Sequence, residues 1–207
     1  MGSETANRRV LQLFADILDY PQENMVQHVR ECETLVSATS PEAAVLLRQF
    51  RRFLEETPNG RLEEVYTGIF DLDAACHPYV GYQLFGESYE RSAFIVELKK
   101  RYRSCGFEAS ENELPDRLSV LLRFLSMTGD GDPDQEIINE GILPALDKMA
   151  KEADEAEKAE EAEGQRPSQG SNPYRRVLAA LRHVLEQLQS VTVPAQGASA
   201  EGDSSDV

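Results

Sequence analysis

Tryptophan is absent from this 207-residue chain, and histidine and cysteine number only three each. Zinc sites draw about four ligands from closely spaced pairs, so so few soft ligands leave little room for one. His28 and Cys32 are four apart and Cys76 adjoins His77, but no third and fourth ligands accompany them. An odd set of thiols (Cys32, Cys76, Cys105) without paired spacing also excludes a disulfide framework and points to a reducing cytoplasm. Basic residues are scarce too: 21 Lys and Arg face 37 Asp and Glu, for a net charge of −16. Affinity for a phosphate backbone comes from Lys and Arg, so nucleic acid is excluded as a partner. No apolar run approaches 18 residues, which excludes stable membrane insertion. Nor is there a P-loop, a nucleophile elbow or a dinucleotide-binding glycine turn, because the glycines fall at segment ends and in the tail.

What the chain does have is a repeated pattern of start signal, apolar face at a 3.6-residue period, and stop. A first helix is expected from about Thr5 to Asp19, with Val10, Leu11, Phe14, Ile17 and Leu18 on one face, ending at Tyr20-Pro21. Arg8-Arg9 near the start has the look of an export signal. Asp16 and Asp19 interrupt the run that such a signal needs, so helix one is the better reading. A second helix runs from about Glu23 to Ala38. Ser40 as N-cap and Pro41 open a third, and Asn59-Gly60 is expected to divide it from a fourth, which carries Leu62, Val65, Tyr66, Ile69 and Phe70.

His77-Pro78 opens a short fifth helix containing Tyr79, Tyr82, Leu84 and Phe85. Ser88 caps a sixth, which Gly106 stops. The seventh carries Leu118, Leu121, Leu122 and Leu125, and an eighth carries Ile137, Ile138, Ile142, Leu146 and Met149. The architecture expected is therefore all-α, a single-domain bundle of about nine helices. Residues 1–150 form the helical core, 151–171 an acidic frayed helix and linker, 172–191 a last helix packing back on the core, and 192–207 a disordered tail.

Glu113, Pro115 and Asp116 stand at the mouth of the seventh helix. Two carboxylates three apart suit proton transfer when buried together, but acids and a proline also favour a helix start, and the second reading is preferred. No catalytic group, cofactor site or metal site is assigned, and the chain reads as a non-enzyme. A helical protein of this composition either satisfies all its faces internally or leaves an apolar furrow with acidic edges, suited to a basic amphipathic peptide. The residue pattern leaves both open.

Several segments carry a family resemblance: Gly86-Glu87-Ser88 followed by Glu90-Arg91, the Gly106 stop, and Glu113-Leu114-Pro115-Asp116 with Leu118, Leu121, Leu122, Phe124 and Leu125. Leu18-Asp19-Tyr20-Pro21, Tyr66 through Phe70-Asp71, and Pro173-Tyr174 add to it in order. On these the chain resembles the respiratory nitrate reductase assembly chaperones, the NarJ branch of the TorD-like family. Arg117 stands where that family commonly has histidine, and Ser119 where it commonly has a second proline. A role for that histidine therefore does not carry over, and Arg117 is expected to pair with a nearby acid.

The resemblance implies a TorD-like fold and a cytoplasmic chaperone that performs no reaction. It would bind the N-terminal peptide of the nitrate reductase catalytic (alpha) subunit and hold it for molybdenum cofactor insertion, with molybdenum cofactor delivery proteins as further partners. An assembly chaperone for another molybdoenzyme, or a generic helical scaffold, is the alternative. The client's apolar side chains are expected to meet Tyr66, Phe70, Tyr79, Phe85, Leu114 and Leu118, beside Pro115, and its basic ones to meet Glu87, Glu113 and Asp116.

Overall fold

The structure is a computed structural model that describes residues 2–72, 76–110, 112–128, 135–151 and 172–192. The expected acidic segment (all but Lys151 of 151–171) and the tail from 193 onward lie outside the described residues. Among those described there are nine helices and no strand. Helix α1 is Gly2–Ile17, α2 Met25–Val36, α3 Pro41–Glu56 and α4 Asn59–Thr67, which continues into a π-helical turn, Gly68–Leu72. Helix α5 is Val80–Phe85, α6 Tyr89–Ser104 and α7 Leu118–Thr128. Helix α8 covers 135–151 and contains, after its first two residues, a π-helical stretch, Ile137–Ile142. Helix α9 is Tyr174–Thr192.

Helix α1 is the centre of the core. It packs on α7 and α2, while α3 packs on α2 and on α9. Flanked on two sides, α1 buries more than one stripe: Leu13, Phe14, Ala15 and Ile17 are all fully inaccessible. Each large apolar side chain so buried contributes about 1.5–3 kcal/mol. Arg8 and Arg9 lie in this helix and make ion pairs with Glu4 and Glu31, both at 2.7 Å, the second tying α1 to α2. Cys32 and Cys76 are buried, and burial pushes the Cys32 thiol well above its ordinary range. Along α9, Tyr174, Val177, Ala180, Leu181 and Leu185 are buried, and Tyr174 meets Phe50, Tyr66 and Phe70 ring to ring at 5.0–5.7 Å.

Several boundaries follow the sequence signals. The Ser88 hydroxyl accepts from the Arg91 amide at 3.4 Å, and Gly106 adopts φ 68°, the left-handed stop that a side chain disfavours. Three boundaries differ. Asn59-Gly60 does not separate α3 from α4: the break is Thr57-Pro58, where the proline forces Thr57 into an extended backbone, and Asn59 and Gly60 form the first turn of α4. Ser40 precedes α3 but its buried hydroxyl accepts no cap bond. Tyr79 is not in the fifth helix, which starts at Val80.

The last difference has a cause that also alters the seventh helix. Tyr79 and Arg117 form an isolated antiparallel bridge, in which the Val80 amide donates to the Asp116 carbonyl at 2.8 Å and the Leu118 amide to the Pro78 carbonyl at 2.7 Å. Tyr79 is extended there, whereas Leu114 to Arg117 form a turn closed by the Arg117 amide donating to the Leu114 carbonyl at 3.0 Å. Glu113, Pro115 and Asp116 therefore precede α7 and do not occupy its first turn, which contains no acid.

Candidate functional site

The bridge sets Asp116 inside the protein. Its carboxylate is 0% exposed; one oxygen accepts from Arg91 Nε at 2.9 Å and the other has no hydrogen-bond partner. The Arg91 guanidinium sits 5.5 Å from the ring centres of both Tyr79 and Tyr82, which shield it from water and hold it by cation–π attraction. Tyr102 donates its hydroxyl to the Pro115 carbonyl at 2.7 Å. The Pro-Asp pair thus joins the start of α7 to both α5 and α6. It forms no acidic lip, because burying the charge beside Arg91 is what fixes the three elements.

On another side, Arg117 takes the pairing expected of it. Its Nη1 donates to both oxygens of Glu113 at 2.6 Å, and its Nη2 donates to the Tyr66 hydroxyl at 2.8 Å. That hydroxyl in turn donates to the Leu18 carbonyl at 3.1 Å. Arg123 pairs with Asp16 at 3.2 Å and with Asp19. These groups line an open polar cavity of about 770 Å³, with Tyr20, His28 and Asp71 among its other walls. Burial pushes the Tyr66 phenol up to about 12 against the opposing pull of Arg117. Burial also works against the Arg117 charge, but Tyr66, Glu113 and Asp19 outweigh it and raise its pKa. Segments far apart in sequence, Asp19-Tyr20, Tyr66–Asp71 and Glu113–Arg117, converge here. Both arginines are neutralised by neighbours, so the cavity reads as an internal brace for the helix ends.

A second depression lies between α5, α6 and α8. Leu84, Phe85, Phe94, Leu98, Ile137 and Gly141 form its apolar lining, and Glu97, Glu136 and Glu140 stand around it. Its volume is about 180 Å³, room for one or two side chains. Phe85, 42% exposed, has its ring centre 5.9 Å from that of Phe94, the two rings tilted by 57°. Arg101 also reaches the rim and pairs with Glu136 at 2.5 Å.

The ten residues anticipated from sequence are not gathered on one surface. Tyr66, Phe70, Pro115, Asp116 and Leu118 are buried, and Tyr79 and Glu113 are half-buried and engaged with Arg91 and Arg117. Only Phe85, Glu87 and Leu114 are exposed, and of these Phe85 lines the apolar depression. The acids around that depression escaped the sequence reading because Glu136 and Glu140 lie about 50 residues beyond Phe85. Among the described residues, no group of three or more His, Cys, Asp or Glu is placed to hold a metal ion, and no helix is long and apolar enough to cross a membrane.

Residues 37–191 match the family model described as nitrate reductase delta subunit. A Bacillus subtilis chain named probable nitrate reductase molybdenum cofactor assembly chaperone NarJ is 32% identical over 110 residues, 52% of this chain and 59% of that one. The nitrate reductase molybdenum cofactor assembly chaperone NarJ of Escherichia coli K12 is 28% identical over 119 residues, 56% of this chain and 50% of its own length. The match thus spans between 50% and 59% of the length of these curated relatives. In fold it is similar to the crystal structure of a redox enzyme maturation protein from Archaeoglobus fulgidus, with a TM-score of 0.53 at 24% identity over 86% of this chain and 93% of that one.

Proposed function

The chain belongs to the nitrate reductase delta subunit family, and on that premise we propose that it is an assembly chaperone. It binds the N-terminal segment of the nitrate reductase catalytic (alpha) subunit and keeps that subunit competent for molybdenum cofactor insertion before membrane assembly. It performs no reaction, works in the cytoplasm, and shares its client with molybdenum cofactor delivery proteins. The observation that carries this reading is the depression between α5, α6 and α8: an apolar floor at Phe85, Phe94 and Ile137, rimmed by Glu97, Glu136 and Glu140 with Arg101, which pairs with Glu136. Such a lining accepts an apolar anchor from a helix whose other face is basic, and the rim steers that helix in. The polar cavity around Arg117 suits the client less well, because charged and polar side chains make up most of its lining and leave little apolar surface for an anchor.

The test is calorimetry with the N-terminal peptide of the catalytic subunit. Phe85→Ala removes a half-exposed anchor, which costs on the order of 2 kcal/mol of binding, or about 30-fold in affinity, without unfolding the chain. Glu140→Lys is expected to slow association and to lessen its salt dependence. Unchanged binding in both variants moves the site elsewhere on the chain. Equal capture of the intact catalytic subunit and of one lacking its first residues refutes recognition of that segment altogether.

A further inference from the structure

The rim of the depression between α5, α6 and α8 is not uniformly acidic. Phe94, Leu98 and Arg101 recur at intervals of 4 and 3, so one face of α6 carries two apolar lining residues and then a guanidinium. Lys99, Lys100 and Arg103, the other cations at the end of α6, are exposed, whereas the Arg101 side chain turns inward and is 24% exposed. It reaches across to α8 and pairs with Glu136 at 2.5 Å, and its Nε lies 3.9 Å from Glu97 on its own helix. Lys100 also draws on Glu97, at 3.3 Å. Glu140, four residues beyond Glu136 on the α8 wall, is exposed and pairs with no cation among the described residues. Lys148, further along α8, is committed to the Gln83 and Leu84 carbonyls.

From this arrangement we propose that Arg101 is a specificity-determining residue of the client site. It takes the place that a client cation would occupy between Glu97 and Glu136, and leaves Glu140 as the rim acid open to one. The inference rests on the reading that the client docks in this depression, and adds which charge pattern is accepted there. On a helical client, residues three and four positions from the apolar anchor are its neighbours on the same face and land on the rim. A lysine or arginine that faces the α8 wall there meets Glu140. One that faces the α6 wall meets the Arg101 guanidinium, whose carboxylate partners are already engaged, and is turned away. The partner that fits is therefore a segment whose cations flank its anchor on one side, not a uniformly basic one. The dipole of α6 does not call for an inward cation, because exposed Lys99 and Arg103 already complement its C-terminal end.

Calorimetry with the N-terminal peptide of the catalytic subunit tests this, with the peptide's Lys and Arg replaced by Gln one at a time. In the native chain one peptide cation is expected to matter most, its loss weakening binding about threefold to fivefold, the range of a single exposed ion pair. In Glu140→Gln the same replacement should have no further effect, which couples the two groups in a double-mutant cycle. Arg101→Gln frees Glu97 and Glu136, so it is expected to raise affinity about threefold to fivefold and to make a second peptide cation matter. Arg101→Lys keeps the charge and should keep the native pattern. Unchanged or weaker binding in Arg101→Gln overturns the proposal, as does an Arg101→Lys chain that behaves like Arg101→Gln. Absence of coupling between Glu140 and every peptide cation overturns it as well. Phe85→Ala keeps the two levels apart: weakened binding there without a response at Arg101 sinks this inference alone, whereas unchanged binding there places the client elsewhere and sinks both.

Discussion

Gly81→Ala sets two rules against each other at one atom. Gly81 lies in α5, where exchanging glycine for alanine ordinarily gains about 1 kcal/mol of helix propensity. A Cβ at this position, however, meets Asp116 Oδ2 at 2.8 Å, Phe94 Cδ1 at 3.0 Å and Arg91 Cγ at 3.2 Å. Asp116 has a short side chain, is wholly buried and is held by Arg91, and Arg91 is itself held between two tyrosine rings, so none of the three yields freely. Overpacking of this kind costs about 1–3 kcal/mol, and displacing a buried charged hydrogen bond adds about 1.5–3 kcal/mol. Set against the propensity gain, the expected net loss is about 1.5–5 kcal/mol. Urea unfolding followed by circular dichroism measures it as a lower midpoint with an unchanged slope. Gly60→Ala is the control: it lies in the first turn of α4 with nothing within 4 Å of the added carbon, and is expected to be neutral or stabilising by up to about 1 kcal/mol. A Gly81→Ala midpoint at or above the native one refutes the close approach as the reason for glycine here.

Two further outcomes follow from the same geometry. Asp116→Ala strands the Arg91 charge in a mostly buried setting and is expected to cost about 3 kcal/mol; with Arg91→Ala added, the double variant should lose less than the sum of the two singles, and additive losses in a denaturation cycle would show that the pair is not coupled. Burial raises the Tyr66 phenol from 10 to about 12 in the folded protein, so the folded state holds its proton more tightly; the contribution, about 2–3 kcal/mol, is fully present below pH 10 and is lost as pH rises toward 12. Stability measured from pH 8 to 12 should therefore fall less steeply in Tyr66→Phe than in the native chain, and parallel curves refute the assignment.

The helices were legible because their signals are local. An apolar period needs only a dozen residues, and the Ser88 cap and the Gly106 stop are fixed by their immediate neighbours. Arg117 finding an acid was legible for the same reason, since Glu113 is four residues away. The burial of Asp116 was not. An aspartate beside proline ahead of a leucine-rich stretch satisfies every rule for a solvated helix start, and its true partner is 25 residues upstream on α6. Nothing local signals the bridge between Tyr79 and Arg117 either, because it depends on two stretches nearly 40 residues apart lying side by side.

That buried pair bears on the depression even though Asp116 does not line it. Phe85 sits at the end of α5 and Phe94 on the inner side of α6, so the width of the apolar floor is set by how those two helices lie together. Gly81 near the start of α5 lets Asp116 approach, Arg91 in the first turn of α6 binds its carboxylate, and the bridge at Tyr79 holds both to the start of α7. From the other side, Lys148 of α8 donates to the Gln83 and Leu84 carbonyls at 3.0 and 3.1 Å, which fixes the third wall against α5. The Glu-Leu-Pro-Asp segment therefore acts on the proposed client site through α5 and α6. Substitutions in it should alter peptide affinity only in step with stability, whereas Phe85→Ala should alter affinity alone.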